Sequence, residues 1–174
     1  MPGTLINEQM KAAIGTEMRR RVSFPVDPSD IRRWAVAVYY PEPPPAYFWD
    51  EDAAAATRHK GIVAPEEFNP FAWMTASDTS PTGEQPESHD ANGIEKRLGI
   101  TSPGLSYRLN GGVDVEYGVR MRPGDVITAV FRLAGYTERI GRLGPMLFTV
   151  VEDTWTNQHG ELVKRNRSTL IRYK

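Results

Sequence analysis

The chain has 174 residues, of which 25% are charged and 40% are apolar. This length and composition are typical of one globular domain with a substantial core. The formal net charge of −1 excludes a global field that would attract nucleic acid or an anionic membrane surface.

The cysteine and histidine content excludes further kinds of site. There is no cysteine, which excludes disulfides, thiolate metal ligands and a cysteine nucleophile. Because this fits a reducing compartment, we expect a cytoplasmic protein. No apolar run approaches the roughly 20 residues of a membrane span, and the N-terminus has no apolar core, so we expect neither a span nor a secretion signal. The three histidines, His59, His89 and His159, have no regular spacing, and we expect no metal site.

The first 39 residues predict a helix, a strand and a second helix. Apolar residues at helical spacing indicate a short amphipathic helix over residues 4–15, and alternation indicates a strand over residues 17–26. Asp27 and Pro28 then mark a helix start. The Asp27 side chain can accept hydrogen bonds from first-turn amides, and Pro28 lacks only an amide hydrogen that has no partner in the first turn of a helix. We predict that this helix runs to about Tyr39.

The next stretch predicts an overhang followed by two helices. Pro41–Pro45 forbids helix and indicates an extended, stiff segment, either a rigid loop or the wall of a pocket. An alanine-rich helix is predicted over residues 50–58. A nearly all-apolar helix is predicted to begin at Pro65 and to be buried, with Phe68, Phe71, Ala72, Trp73 and Met74 serving mainly the core. Asn69–Pro70 disfavours a regular α-helix, so a kink or a short first turn is expected there.

The rest of the chain predicts a polar excursion and then a sheet. Residues 77–103 are polar and rich in Pro and Gly, which is typical of a mobile surface excursion, with a helical turn at residues 92–98. Beyond residue 105 the pattern is that of antiparallel strands, predicted as a meander of sequential hairpins with a helix on one face. The fold class is therefore α+β in one domain over residues 1–174. The predicted strands cover residues 105–110, 113–117, 126–139, 144–157 and 162–172. The Gly111–Gly112 break between the first two indicates a close backbone approach or a bulge.

Six pieces of the chain, in order, resemble the MaoC-like hot-dog family, and more closely its N-terminal, fatty-acid-synthase-type dehydratase branch. The resemblance implies a curved antiparallel sheet wrapped around a central helix and paired with a second hot-dog. It also implies action on acyl thioesters, namely hydration of an enoyl thioester or dehydration of a 3-hydroxyacyl thioester. The pieces are DPSDIRRWAVAV at 27–38, PAYFWD at 45–50, GIVAPEEF at 61–68, LNGGVDVEY at 109–117, MRPGD at 121–125 and RSTLI at 167–171.

The chain departs from the family at its catalytic positions. Catalytic members carry Asp-x-Asn-Pro-x-His on the overhang, and laying Pro45 on the family proline places Glu42 at the Asp position and Tyr47 at the His position. A phenol with a pKa near 10 exchanges protons poorly at pH 7. Neither residue is therefore assigned as catalytic. The substrate-binding residues that the resemblance implies are Ala64, Pro65, Glu66, Phe68, Asn110 and Gly111.

Three functions remain open for such a chain. The first is a subunit that supplies the substrate tunnel beside a catalytic hot-dog partner bearing Asp and His. The second is a homodimer that binds acyl thioesters without turnover, and the third is a homodimeric hydratase that uses Glu42. In each case the resemblance implies no cofactor, because the substrate is carried on coenzyme A or phosphopantetheine.

Other polar residues have competing interpretations. His59 is expected to cap the helix before it, with catalysis as the alternative, whereas His89 is expected in solvent and His159 in a hairpin turn. The basic runs at residues 19–21 and 164–167 are expected on solvent faces of strands. Their alternative role is to meet the phosphates of the carrier at a tunnel mouth.

Overall fold

The structure is a computed structural model that describes residues 4–72, 74 and 90–174. Its main element is a five-stranded antiparallel sheet in the spatial order β1-β3-β4-β5-β2. Among the described residues no helix is long and apolar enough to cross a membrane. The strands are β1 (Glu17–Val22), β2 (Tyr107–Tyr117), β3 (Thr128–Gly141), β4 (Gly144–Thr156) and β5 (Leu162–Tyr173), and the helices are α1 (Glu8–Ala12), α2 (Pro28–Tyr39), α3 (Glu51–Ala55) and α4 (Gly93–Leu98).

The cap residues determine where the helices start. Asp27 accepts from the Ser29 amide at 2.7 Å, and α2 begins at Pro28 and ends at Tyr39, which confirms the predicted helix. Asp50 caps α3 in the same way by accepting from Ala53 at 2.8 Å. Helix α3 ends at Ala55, short of the predicted Arg58, and the Thr57 hydroxyl donates to the Ala54 carbonyl oxygen at 2.7 Å.

Strand β2 runs unbroken through the two glycines that divide its sequence pattern. The register shifts between Asn110 and Val113, which is the bulge that Gly111 and Gly112 indicated. Gly112 has φ of +112°, and a Cβ on Gly111 would lie 2.9 Å from the side chains of β5. The bulge therefore requires glycine at both positions.

The predicted meander is wrong in one respect, because β2 does not pair with β3. Strand β2 pairs with β5 at one edge of the sheet, and β3 pairs with β1 at the other edge. The Arg122–Asp125 turn lies in the connection between β2 and β3, and it bonds to Val26 beyond β1. Met121 and Ile127 in this connection are buried, so the segment crosses one end of the core and is no tight hairpin loop.

The predicted helix from Pro65 is replaced over residues 65–72 by successive turns. The Phe68 amide donates to Pro65 at 3.0 Å, and the Ala72 amide donates to Asn69 at 3.2 Å. Pro70 explains the break, because it has no amide hydrogen and disfavours the helical conformation at Asn69. The burial of Phe68 and of Phe71 is confirmed. Trp73 and residues 75–89, where such a helix would continue, lie outside the described residues.

Two apolar clusters cover one face of the sheet. The first joins α2, the overhang and residues 62–74 to the ends of β3, β4 and β5. The second joins α1 and α4 to the other ends of β3 and β4. The helical turn predicted at residues 92–98 is confirmed as α4, but Ala91 and Glu95 are buried and residues 90–103 pack on the sheet. Residues 77–89 of the predicted excursion lie outside the described residues.

Candidate functional site

The overhang places Tyr47 at the boundary of the first cluster. Residues 46–48 form a 3-10 turn, and the half-buried Tyr47 ring lies 4.4 Å from the Phe48 ring, centroid to centroid. The Tyr47 side chain therefore does not face bulk water. Glu42 is exposed, and its amide donates to the Tyr39 carbonyl oxygen at 2.8 Å.

An imidazole lies beside this phenol, and it belongs to His59. The centroids of the Tyr47 and His59 rings are 6.1 Å apart. His59 does not cap α3 as expected, because that helix ends at Ala55. Its carbonyl oxygen instead accepts from Arg122 Nη2 at 2.7 Å, which fixes the turn that carries it. Sequence reasoning missed this contact because the pairing depends on how the two segments pack together.

The surroundings of His59 disfavour its protonated form. Burial first, and then the positive charges of Arg58, Arg120 and Arg122, lower the pKa of His59 below its usual value of about 6.5. The imidazole is therefore mainly neutral at pH 7. A neutral imidazole can accept a proton, so the site has one potential base, beside Tyr47.

The segment that starts at Ala64 is bound to the connection after β2. The Ala64 amide donates to the Met121 carbonyl oxygen at 2.8 Å, and the Ala64 carbonyl oxygen accepts from Arg120 Nε at 3.1 Å. Arg120 also pairs with the exposed Glu66 carboxylate at 2.7 Å. The Ala64 amide is therefore already hydrogen-bonded within the chain. Glu66 and Arg120 both line the small cleft beside the buried Pro65.

The predicted substrate-binding residues fall into two groups. Ala64, Pro65, Glu66 and Phe68 lie near the end of β2 at Tyr117, which pairs with Lys164. Asn110 and Gly111 lie at the β2 bulge, where Asn110 pairs with Leu170. Six residues of β5 separate the two positions, which corresponds to roughly 20 Å along a strand. Within one chain, the two groups therefore do not form a single site.

A cavity of 520 Å³ lies at the second position, between α4 and strands β2 and β5. Asn110 lines it, together with apolar residues of β3 and β4. Sequence reasoning missed this cavity because α4 belongs to the stretch predicted as a surface excursion. The alternation of β5, which turns Ser168 and Leu170 to one face, was the signal that could have indicated it.

The basic runs are largely neutralised by carboxylates. Lys164 is buried and donates to Glu67 at 2.6 Å, which corrects the expectation that it lies on a solvent face. Arg165 pairs with Glu116 at 2.7 Å, and Arg167 pairs with Glu152 at 3.2 Å. These side chains therefore do not present an open phosphate site. In the described part of the chain no three His, Asp or Glu side chains are grouped to hold a metal ion, and His89 lies outside it.

Strand β2 leaves one edge of the sheet open. All eleven of its residues are exposed, including five large apolar or aromatic ones. An exposed edge of this length is a template for pairing with another strand. The five residues are Tyr107, Leu109, Val113, Val115 and Tyr117.

Comparisons with known proteins agree with this architecture. A curated relative, the probable enoyl-CoA hydratase alpha subunit of Thermomonospora curvata, is 28% identical over all of this chain. The chain spans 54% of the length of that relative. A chain of the ChsH1–ChsH2 complex of Mycobacterium tuberculosis aligns with a TM-score of 0.67 and 21% identity, over 95% of this chain and 88% of that one.

A MaoC-like dehydratase from Rhodospirillum rubrum aligns with a TM-score of 0.54 and 21% identity, over 93% of both chains. These structural neighbours confirm the predicted hot-dog fold. The family model described as "FAS1-like, dehydratase domain region" matches residues 12–166. Because this match covers most of the chain, the chain belongs to the family described as the FAS1-like dehydratase domain region.

Proposed function

We propose that this chain is the non-catalytic subunit of an enoyl-thioester hydratase or 3-hydroxyacyl-thioester dehydratase. In this proposal it forms part of the substrate tunnel, and a second hot-dog subunit supplies the catalytic Asp and His. The observation that carries the proposal is Tyr47, which stands at the family His position and packs against Phe48 and the core.

The chemistry of Tyr47 and Glu42 supports a non-catalytic role. Hydration of an enoyl thioester needs a base that activates water and an acid that returns a proton to the α-carbon. A phenol is a poor proton carrier compared with the imidazole that catalytic members of the family use. Glu42 is exposed to solvent.

The open edge of β2 supports the second subunit. An apolar edge strand of eleven residues is best satisfied by the edge strand of another hot-dog, which would extend the sheet. The relative from T. curvata is described as an alpha subunit, and the neighbour from M. tuberculosis is part of a complex of two named proteins. Both descriptions fit a chain that acts beside a different partner.

The substrate in this proposal is an acyl thioester on coenzyme A or phosphopantetheine. No redox or group-transfer cofactor is needed, because hydration adds only water across a double bond. The absence of cysteine throughout the chain fits a reducing compartment such as the cytoplasm.

A second candidate is a homodimer that binds acyl thioesters without turning them over. The β2 edge favours this candidate equally, because an antiparallel strand can pair with a copy of itself about a twofold axis. The contact between Tyr47 and His59 adds a lesser possibility, a homodimeric hydratase in which Glu42 or His59 carries a proton.

One assay separates these candidates. The chain is purified alone and together with a hot-dog partner that carries an intact Asp-x-Asn-Pro-x-His, and hydration of crotonyl-CoA is followed by loss of the enoyl absorbance. Activity only in the mixture is the result expected. Activity of the chain alone that Glu42→Gln or His59→Gln abolishes would refute the proposal, and saturable binding without turnover in any mixture would support the homodimer.

A further inference from the structure

The 520 Å³ cavity has the size and lining of a ligand site. It lies within the range of about 300–1,000 Å³ that is usual for small-molecule pockets. Apart from its charged residues, three polar residues, Asn110, Ser168 and Thr169, interrupt a largely apolar wall. The large apolar residues of this wall include Met18, Ile94, Leu109, Phe131, Val151 and Leu170.

Two arginines line the cavity, and neither forms a hydrogen bond or an ion pair within the described part of the chain. Arg97 comes from α4 and Arg108 comes from β2, and both side chains reach solvent. Arg108 lies close enough to Asp90 for its positive charge to help lower the pKa of that carboxyl. Asp90, the carboxylate that also lines the cavity, accepts from Lys96 at 2.6 Å, so a cation already compensates its charge. The mouth of the cavity is therefore positively charged, although the chain as a whole has a net charge of −1.

The wall that α4 forms is held in place by a buried network. Arg172 of β5 binds both carboxylate oxygens of Glu95, at 2.6 and 2.8 Å, and the Ala91 carbonyl oxygen at 2.7 Å. Both charged side chains are fully buried. A short helix fixed in this way keeps the cavity open, so that a ligand does not have to form it.

We propose that this cavity binds an apolar chain that carries an anionic oxygen group, with the chain between α4 and the sheet and the anion at Arg97 and Arg108. An apolar lining alone would accept any hydrocarbon, whereas two exposed guanidinium groups that no hydrogen bond engages select an anion by charge-assisted hydrogen bonds. The anion is either the carboxylate of a free fatty acid or a phosphate of an acyl-CoA. Only the second source rests on the proposed function.

The test is calorimetric titration of the full chain with decanoate, with decanoyl-CoA and with uncharged decanol. Decanoate is expected to bind at one site, and decanol at least about tenfold more weakly, the ratio expected for loss of one strong contact. The double variant Arg97→Gln/Arg108→Gln should weaken decanoate about tenfold and leave decanol unchanged. Arg142→Gln, which removes an exposed arginine in the turn after β3, is the matched control and should change neither affinity.

A cavity-filling variant, Ser168→Phe, should abolish binding of both decanoate and decanol, with circular dichroism as the check on folding. Competition identifies the source, because decanoyl-CoA that displaces decanoate only when both arginines are present points to the thioester, and failure to compete points to a free carboxylate. Absence of binding for both decanoate and decanoyl-CoA, or binding that the two arginine changes leave intact, would overturn the inference. Neither result would alter the crotonyl-CoA assay, so the two proposals fail separately.

Discussion

Tyr47 and His59 show how single residues decide the chemistry that this chain can perform. Tyr47 takes the position that the predicted alignment gives to the family imidazole, and the ring centroid of His59, on a different segment, lies 6.1 Å from that of Tyr47. His59 belongs to a turn whose carbonyl oxygen is held by Arg122. Whether a base lies near Tyr47 therefore depends on how closely the overhang packs against the turn that carries His59, and not on residue type alone.

The first prediction concerns the charge of His59. Because burial and neighbouring arginines disfavour the imidazolium, its pKa in the folded chain should lie below about 6.5, measured by the shift of its ring protons in NMR titration. The Arg58→Gln variant should raise this pKa toward the usual value, and Arg142→Gln should leave it in place. A pKa at or above 6.5 in the unchanged chain would contradict this account.

The same shift has a consequence for stability. Since the folded pKa of His59 is lower than the unfolded one, the unfolded chain takes up more protons as the pH falls below about 6.5. Stability is therefore fully present above that pH and decreases as the pH falls through the folded pKa. The loss over this window, measured by urea unfolding, should be smaller in His59→Gln.

At the scale of elements, one buried ion pair joins α4 to the sheet. Arg172 of β5 forms two hydrogen bonds to Glu95, and Thr149 and Tyr136 complete the network with bonds of 2.7 Å each. Burial and the Glu95 carboxylate raise the pKa of Tyr136, so its hydroxyl stays protonated and donates. Helix α4 has only six residues, and an isolated helix of this length is unstable.

The second prediction follows from this network. Arg172→Met should destabilise the chain by about 3–5 kcal/mol in urea unfolding, because it leaves the Glu95 carboxylate buried without its cation. The double change Glu95→Met/Arg172→Met should recover most of this loss, because neither charge then remains buried.

The matched control is Arg33→Met, which removes one partner of the exposed Arg33–Asp30 pair and should cost at most about 1 kcal/mol. Equal losses for Arg172→Met and Arg33→Met would show that the buried pair does not hold α4.

At the scale of the whole molecule, cross-strand charge pairs and the exposed apolar side chains of β2 lie on different parts of the sheet. On the face of the sheet opposite α4, carboxylates and arginines pair across strands, as in Glu17–Arg132 at 3.7 Å, Arg165–Glu116 at 2.7 Å and Arg165–Glu152 at 3.9 Å. A face of this kind is suited to contact with solvent. The edge formed by β2 exposes apolar side chains instead, and this difference points to the edge as the surface where a second subunit binds.

The third prediction tests that edge. Val115→Lys should weaken association with a second subunit at least about tenfold, because pairing would bring the new charge into an apolar contact. Size-exclusion chromatography with light scattering measures the change, on the chain alone and with a hot-dog partner. Ile140→Lys places the same charge on another exposed apolar position, 80% exposed in β3, and should leave association unchanged. Equal behaviour of the two variants would exclude the β2 edge as the interface.

Several local features of this protein could be predicted from its sequence. The start of α2 at Pro28, its end at Tyr39 and the β2 bulge were all predicted, because a cap, a proline or a glycine acts on its immediate neighbours. The alignment of Tyr47 with the family His position rests on motif spacing and stays a prediction. Among local features, the prediction was wrong at the end of α3, which lies at Ala55 and not at Arg58, and at residues 65–72, where Pro70 outweighed an apolar pattern.

The sequence by itself determined the helical or extended character of most elements and the bounds of α2. Only the tertiary structure decided that β2 lies beside β5, that His59 meets Tyr47, and that Glu95 and Arg172 bury their charges together to wall a cavity. The physical reason is that caps and periodicity act over a few residues. These contacts instead join residues 12 to 77 positions apart, and their stability depends on burial that exists only once the sheet has formed.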